Sequence, residues 1–278
     1  MLEVLNDQFL VRAVLATLFA GITCSLVGVL VVTMRISFLG VCMSHAAFAG
    51  ALLGLVIGAD SMVLAIAASL VAAAALGPLA DRGDFAPDTA IGIVFSSALG
   101  VSFLLLSIIP GPKSEALGLL WGSVLTVSPY SLCLLAAVAL GAALAIALFF
   151  KEIQTVVFNR ELARSLGLPA TAVFYGILVL SGLTTTASLN AIGGLLVFSL
   201  IVNPAAAAYQ LTYSLRKMFV IAAAFGVASG WIGLALSWSL NLPTGALIIL
   251  TSCALFVLAN AFSPKKRARK PSLDEGEL

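Results

Sequence analysis

The sequence of 278 residues contains only one histidine, few charged side chains and no nucleotide-binding loop. A single histidine cannot supply an HExxH pattern, which argues against a zinc-dependent intramembrane protease. Ser44 is the only serine beside that histidine, and adjacent helical residues do not face each other, which argues against a serine protease. Without a GxxxxGK(S/T) loop, the chain cannot hydrolyse ATP itself. We therefore expect no enzymatic activity in this chain.

The four cysteines form no CxxC pair. They are Cys24, Cys42, Cys133 and Cys253. Each lies within an apolar run, so we interpret all four as small core residues rather than disulfides or ligands of a structural zinc ion. Their pattern gives no information on the redox compartment.

Charged residues make up only 9% of the chain, whereas 62% of it is hydrophobic and the mean hydropathy is +1.17. A soluble domain has about 25% charged residues. No charged residue lies well inside a long apolar run, as expected if each costs about 2.5–3.5 kcal/mol at the centre of a bilayer. The composition predicts an integral membrane protein, and the net charge of +2 gives no indication of nucleic-acid binding.

Apolar runs of sufficient length to cross a hydrocarbon core of about 30 Å recur along the chain. They are Val11–Met34, Ile36–Gly58, Met62–Ala80, Thr89–Ile109, Tyr130–Phe150, Ala170–Thr186, Ala191–Leu211, Met218–Ser239 and Thr244–Phe262. Leu117–Thr126 is too short to cross, so we interpret it as a re-entrant or interfacial segment. The pattern predicts an all-α polytopic domain with eight or nine spans over residues 1–263. A charged tail, residues 264–278, follows and is expected to be disordered.

The basic residues predict the orientation of the chain. If the amino terminus lies outside, all of the 14 Lys and Arg residues except Arg12 and Lys113 fall on the cytoplasmic side. This asymmetry follows the positive-inside rule. It places the carboxyl terminus in the cytoplasm.

The only histidine, His45, lies inside the apolar span from Ser37 to Gly58. An imidazole at that depth is costly without a partner, so His45 is either a residue of a polar pathway or a structural histidine bonded to a backbone carbonyl. Cys42 shares its helix face and is either a soft ligand or a core residue. On the same helix, small residues recur every four positions and predict a close packing face. They are Ala46, Gly50, Gly54 and Gly58.

Two asparagines are further candidates for a polar pathway. Asn190 closes a cluster of hydroxyl residues, Thr184–Thr186 and Ser188, at the predicted outer end of a hairpin. Asn203 precedes Pro204 inside a span. Proline frees a backbone carbonyl, which is tolerated where the helix lines a cavity or packs against another helix. Asn203 therefore either lines a pathway or only accompanies a kink.

The longest predicted cytoplasmic connection, Lys151 to Pro169, has the signals of a short helix. Asn159 is suited to cap its beginning, and Glu161 favours the positive end of the helix dipole. Gly167 supplies a stop. The segment is either a surface helix with a function or a solvated connector.

Several segments resemble the permeases of ABC importers for manganese, zinc and iron. Phe158 to Pro169 (FNRELARSLGLP) is similar to the family's cytoplasmic coupling segment, in which a pattern close to F-D-x-E-x-A-x-x-x-G-L/I is usual. Further similar stretches are Gly40 to Gly50, Asp88 to Ser96, Ile192 to Ala208 and LPTGALIIL from Leu242. They follow the family's order over most of the chain. Two positions depart from the pattern, because Val41 and Asn159 stand where an aspartate is usual.

The resemblance implies a homodimeric permease in a bacterial-type plasma membrane, embedded in lipid. Its partners would be two cytoplasmic ABC ATPase subunits and an extracytoplasmic metal-binding protein. The cargo would be a divalent transition-metal ion, with ATP used only through the partner and no covalently bound cofactor. The implied coupling residues are Asn159, Glu161, Ala163, Arg164 and Gly167, and the candidate pathway residues are His45, Cys42, Ser44, Asn190 and Asn203.

Val41 bears on the metal, because a carboxylate beside the imidazole would suit a hard or borderline cation. Its absence leaves His45 with Cys42, Met43 and Ser44 as near neighbours in the sequence. The alternative function is an ion-coupled secondary carrier or channel that works without an ATPase. Proton- and sodium-driven carriers usually depend on carboxylates within the membrane, and we find none in the spans.

Overall fold

The computed structural model describes residues 8–82, 86–109, 113, 118, 124 and 127–265, and within them the chain forms helices and no strand. The helices are α1 (Gln8–Thr33), α2 (Leu39–Ile57), α3 (Ser61–Arg82), α4 (Pro87–Ile108), α5 (Pro129–Leu148), α6 (Phe150–Phe158), α7 (Arg160–Ser165), α8 (Ala170–Ile192), α9 (Gly194–Leu211), α10 (Leu215–Leu240) and α11 (Thr244–Ala261). All of these except α6 and α7 are long and apolar enough to cross a membrane. Each predicted span therefore corresponds to a helix, and the all-α fold is confirmed.

Two predicted segments lie outside this description. Of the predicted re-entrant segment at 117–126, only residues 118 and 124 are described. Of the predicted tail at 264–278, only Pro264 and Lys265 are described. Just before them, the Ser263 hydroxyl donates a hydrogen bond to the carbonyl of Gln210 at 2.9 Å, so the end of α11 is tied to the end of α9.

The predicted end of a span at Thr186 is wrong. Helix α8 continues to Ile192, and the polar side chains near its end bond to backbone carbonyls of the helix itself. The Thr186 hydroxyl donates to the carbonyl of Gly182 at 2.9 Å, and the Asn190 amide donates to the carbonyl of Thr186 at 3.0 Å. The only residue between α8 and α9 is Gly193, whose φ of 90° and ψ of 149° lie in a region that favours glycine.

The interior and the periphery consist of different helices. We compared the apolar 18-residue stretch of each spanning helix. In α1 and α2, 67% of this stretch is buried within the protein, whereas the buried share is only 11% in α4 and 17% in α11. Close approach in the interior depends on small residues. A Cβ atom added at Gly28 of α1 would collide with the carbonyl oxygen of Ile201 in α9. One added at Gly226 of α10 would collide with the Gly21 backbone of α1. Such contacts give close helix packing in a membrane.

The small-residue face of α2 contacts α3, but over a shorter length than the sequence indicates. A Cβ atom added at Gly50 would collide with the carbonyl oxygen of Leu64. One added at Gly54 would lie 2.6 Å from the Cα atom of Ser61. The prediction that Gly58 continues this face is wrong. It ends α2 with a φ of 71°, donates its N–H to the Gly54 carbonyl, and has open space where a Cβ atom would stand.

The interpretation of the four cysteines as core residues is correct for two of them. Cys24 and Cys42 are buried. Cys133 on α5 and Cys253 on α11 are exposed, so their predicted place in the core is wrong. Both belong to peripheral helices, where an apolar run indicates depth in the membrane but not burial within the protein.

Candidate functional site

His45 lies on α2 with its side chain partly buried. Its ring meets the Phe95 ring of α4 edge to face, with centroids 5.1 Å apart. The buried Nδ1 atom has no hydrogen-bond partner among the described residues, so they show no bond to a backbone carbonyl. Buried polar atoms are normally hydrogen-bonded, so an exception calls for an explanation. One explanation is that the nitrogen is kept free to bind a ligand.

The residues near His45 in sequence have other contacts. Cys42 is fully buried among apolar side chains. The Ser44 hydroxyl donates to the carbonyl of Gly40 at 2.9 Å. No group of three or more His, Cys, Asp or Glu side chains comes together in the described ranges. The described part of one chain thus holds no closed metal site of the usual kind, and what His45 offers is a single nitrogen.

Asn203 lies at the centre of a polar cluster that joins α9 to α11. Its Nδ2 atom is 2.9 Å from the Ser252 hydroxyl, 3.1 Å from the Ser199 hydroxyl and 3.1 Å from the Cys253 sulfur. The two serine hydroxyls are 2.7 Å apart. We call Asn203, Ser199, Ser252 and Cys253 the α9–α11 cluster. Helix α9 passes through Pro204 without a break.

A second polar cluster lies in the interior, along α8. The Cys24 thiol of α1 donates to the Ser188 hydroxyl at 3.3 Å, and the hydroxyls of Thr186 and Ser69 are 3.0 Å apart. All four side chains are buried. We call them the α8 cluster. Asn190, one turn further along α8, is half-buried and bonds only within its own helix.

The connection between α5 and α8 is made of two helices. The sequence predicted the shorter one, α7, and missed α6. The Asn159 side chain caps α7 by accepting from the N–H of Leu162 at 3.0 Å. At the other end, the N–H groups of Gly167 and Leu168 donate to the carbonyls of Arg164 and Ala163, and Gly167 has a φ of 77°. Both ends of α7 are therefore held, although it has only six residues.

Ala163 is not on the outer face of α7. It is fully buried and packs with Val156 and Ala170, so this implied coupling residue does not itself lie on the exposed face. The exposed face carries large apolar side chains instead. Phe158 at the end of α6 is 69% exposed, and Leu162 and Leu166 are 52% and 64% exposed. Leu162 and Leu166 are four residues apart, which places them on one side of α7. We call these three residues the α7 face.

The nature of the chain is decided by comparison with known proteins. The model of the ABC 3 transport family matches residues 6–263. The chain belongs to the ABC 3 transport family. Among ABC 3 relatives, the manganese transport system membrane protein MntC of Halalkalibacterium halodurans is 31% identical over 264 residues, covering 95% of this chain and 90% of that protein. The "Probable iron transport system membrane protein" of Haemophilus influenzae is 31% identical over 263 residues, covering 95% and 97%.

A solved structure supports the fold of this ABC 3 chain. It is PsaBC from Streptococcus pneumoniae in complex with Fab, which is similar with a TM-score of 0.83 and 28% identity over 94% of each chain. Two features of the ABC 3 chain were missed from its sequence. The spacing of Leu162 and Leu166 was visible and would have indicated the exposed apolar side of α7. The contact of Asn203 with Cys253 joins residues 50 positions apart and leaves no local signal.

Proposed function

We propose that this chain is the membrane permease of an ATP-driven importer of divalent transition-metal ions, working as a homodimer with a separate cytoplasmic ATPase. The observation that carries the coupling is the α7 face. Phe158, Leu162 and Leu166 form an exposed apolar surface in a short segment that also contains the charged residues Glu161 and Arg164. A contiguous apolar surface with a polar rim is typical of a protein contact.

The ATPase is the partner we infer for this surface. The chain belongs to an ABC family but has no nucleotide-binding loop, so ATP must act through another subunit. The capped ends of α7 and the burial of Ala163 hold its exposed face in a fixed orientation. Through α7, movement of the ATPase would then be transmitted to α8, which begins five residues after α7 ends.

Manganese and iron are the proposed cargo. The two relatives carry the names of a manganese transport system and of a probable iron transport system, and His45 offers a borderline nitrogen ligand within the proposed membrane span. Val41, half-buried one turn before His45, supplies no carboxylate. We therefore propose that the ion passes His45 with few protein ligands, and that the second copy of the chain and an extracytoplasmic metal-binding protein complete the route.

The test is Leu162→Asp, which places a charge at the centre of the α7 face. We expect it to abolish co-purification with the ATPase and ATP-driven uptake of Mn²⁺ into proteoliposomes, while the chain still inserts and stays monodisperse. Ser165→Asp is the matched control, because it adds the same charge to the same helix at an exposed polar position. We expect it to keep both activities.

Two results would overturn the proposal. Normal uptake by Leu162→Asp would show that the α7 face does not contact the ATPase. Uptake of Mn²⁺ by the chain alone, without ATPase or ATP, would indicate a secondary carrier or channel instead.

A further inference from the structure

Three aromatic rings lie in a row between α2 and α4. The Phe95 ring of α4 meets the Phe38 ring edge to face with centroids 5.0 Å apart, and it meets the His45 ring in the same way at 5.1 Å. Phe38 and His45 are two helical turns apart along the chain, which is about 10 Å of rise. The two centroid distances together cover this length, so the Phe95 ring fills the space between the other two rings.

An open cavity begins at the Phe38 end of this row. It has a volume of about 480 Å³, and Phe38 lines it together with Arg35 and with Asp88 in the first turn of α4. Phe95 and His45 are not among its described lining residues. The Asp88 carboxylate forms no ion pair or hydrogen bond with another described side chain, so it is open to the cavity. Carboxylate oxygens suit Mn²⁺ as ligands.

This cavity lies at the end of the bundle that carries the proposed ATPase contact. Arg35 also lines a second cavity, of about 430 Å³, together with Phe158 of the α7 face. Under the orientation predicted from the basic residues, this end of the protein faces the cytoplasm. The Phe95 ring therefore lies between His45 and the cytoplasmic end of the proposed pathway.

Helix α4 leaves space beside the Phe95 ring. Gly92 lies one turn after Asp88 and one turn before Phe95, so the three residues share one side of α4. A Cβ atom added at Gly92 meets nothing within 4 Å. A helical side chain leans over the turn that precedes it, so the Phe95 ring can turn towards the space that Gly92 leaves. With the ring turned, this side of α4 connects His45 with Asp88.

We propose that Phe95 is the inner gate of the metal pathway. Its ring closes the way between His45 and the cavity of Asp88, and it turns towards Gly92 when the ion passes. A ring offers a divalent cation no oxygen or nitrogen ligand, and hydrophobic constrictions close pores by excluding water. Beyond the gate, the Asp88 carboxylate supplies an oxygen ligand on the cytoplasmic side. The assignment rests on the proposed metal import and adds a residue that controls passage.

The first test measures access from the cytoplasmic side to a thiol placed at position 45. It uses inside-out membrane vesicles that contain the full chain with its partner subunits, in the absence of ATP. His45→Cys is combined with Cys133→Ser and Cys253→Ser, because the two remaining native cysteines are buried. We expect a membrane-impermeant, positively charged methanethiosulfonate to label the new thiol slowly.

Truncation of the gate should change this rate. Adding Phe95→Ala should accelerate labelling at least about tenfold, because the ring no longer excludes water and the reagent. Phe95→Tyr keeps a ring and should label as slowly as the parent. Phe103→Ala is the matched control, because it removes a 63% exposed ring from the same helix, and we expect no change of rate.

The second test leaves His45 and Phe95 in place and fills the space beside the ring. We expect Gly92→Leu to lower ATP-driven uptake of Mn²⁺ into proteoliposomes at least about fivefold, because the ring can no longer turn aside. Gly100→Leu is the matched control and should keep wild-type uptake. Both glycines have open space where a Cβ atom would stand, so we expect both variants to fold.

The outcomes separate the gate from the proposed function. Fast labelling at position 45 with Phe95 present would overturn the gate, and so would equal rates in Phe95→Ala and Phe103→Ala. If Phe95→Ala does not fold, normal uptake by Gly92→Leu would still overturn it. Because labelling does not require uptake, acceleration by Phe95→Ala alone in a chain that fails to import metal would leave the closure by Phe95 intact and remove the importer.

Discussion

The α8 cluster and the α9–α11 cluster contain similar residues, but they differ in whether their polar side chains are buried or accessible. In the α8 cluster, Cys24 donates to Ser188, and both side chains are fully buried. In the α9–α11 cluster, Asn203 and Cys253 contact each other but remain accessible. Hydrogen bonds between buried side chains contribute to helix association, whereas accessible polar atoms in a membrane are candidates for function. Burial, more than residue type, separates the two roles.

The largest effect is expected from breaking the interior itself. Gly54→Leu places a branched side chain where a Cβ atom already lies 2.6 Å from the Cα atom of Ser61. Overpacking of this kind costs about 1–3 kcal/mol or more. We expect loss of monodisperse protein and a lower temperature of unfolding in detergent.

Gly100→Leu is the control for this substitution, because a Cβ atom at Gly100 on the exposed side of α4 meets nothing within 4 Å. It should unfold at the temperature of the wild type. Equal stability of the two variants would show that the contact of α2 with α3 does not depend on Gly54.

His45→Asn tests the partly buried imidazole of α2. Asparagine keeps hydrogen-bonding groups but is a poor ligand for borderline metals, so we expect uptake of Mn²⁺ to fall at least about tenfold. The temperature of unfolding and co-purification with the ATPase should not change. Wild-type uptake in this variant would make the histidine a structural residue that packs on Phe95.

The smallest effect is expected from Ser188→Ala in the α8 cluster. It removes the acceptor of the Cys24 thiol, and hydrogen bonds between membrane helices are worth about 0.6 kcal/mol on average. We expect slightly lower stability and unchanged uptake. A strong loss of uptake with normal stability would show that the α8 cluster belongs to the translocation pathway and does not serve helix packing alone.

The sequence was sufficient to predict the helical spans and the ends of α7. Apolar length determines the spans, and the local chemistry of Asn159 and Gly167 determines those ends. It was not sufficient to predict α6, because Lys151, Glu152 and Gln154 resemble a polar connector while Ile153 and Val156 pack inward. The burial of Ala163 and the exposure of Cys253 depend on which helices are neighbours, and this information is not local.

The single residue Gly193 makes the connection between α8 and α9 short and stiff. A single residue joins the two helices, and α8 itself, at 23 residues, is a rod of about 35 Å. Under the proposed coupling, a displacement of α7 would act on the first end of α8, and the other end of α8 leads directly into the helix that carries Asn203. With one residue at the corner, little slack is available to absorb the motion. Under the proposed coupling, these two rigid helices would carry a small displacement of α7 as far as the middle of α9.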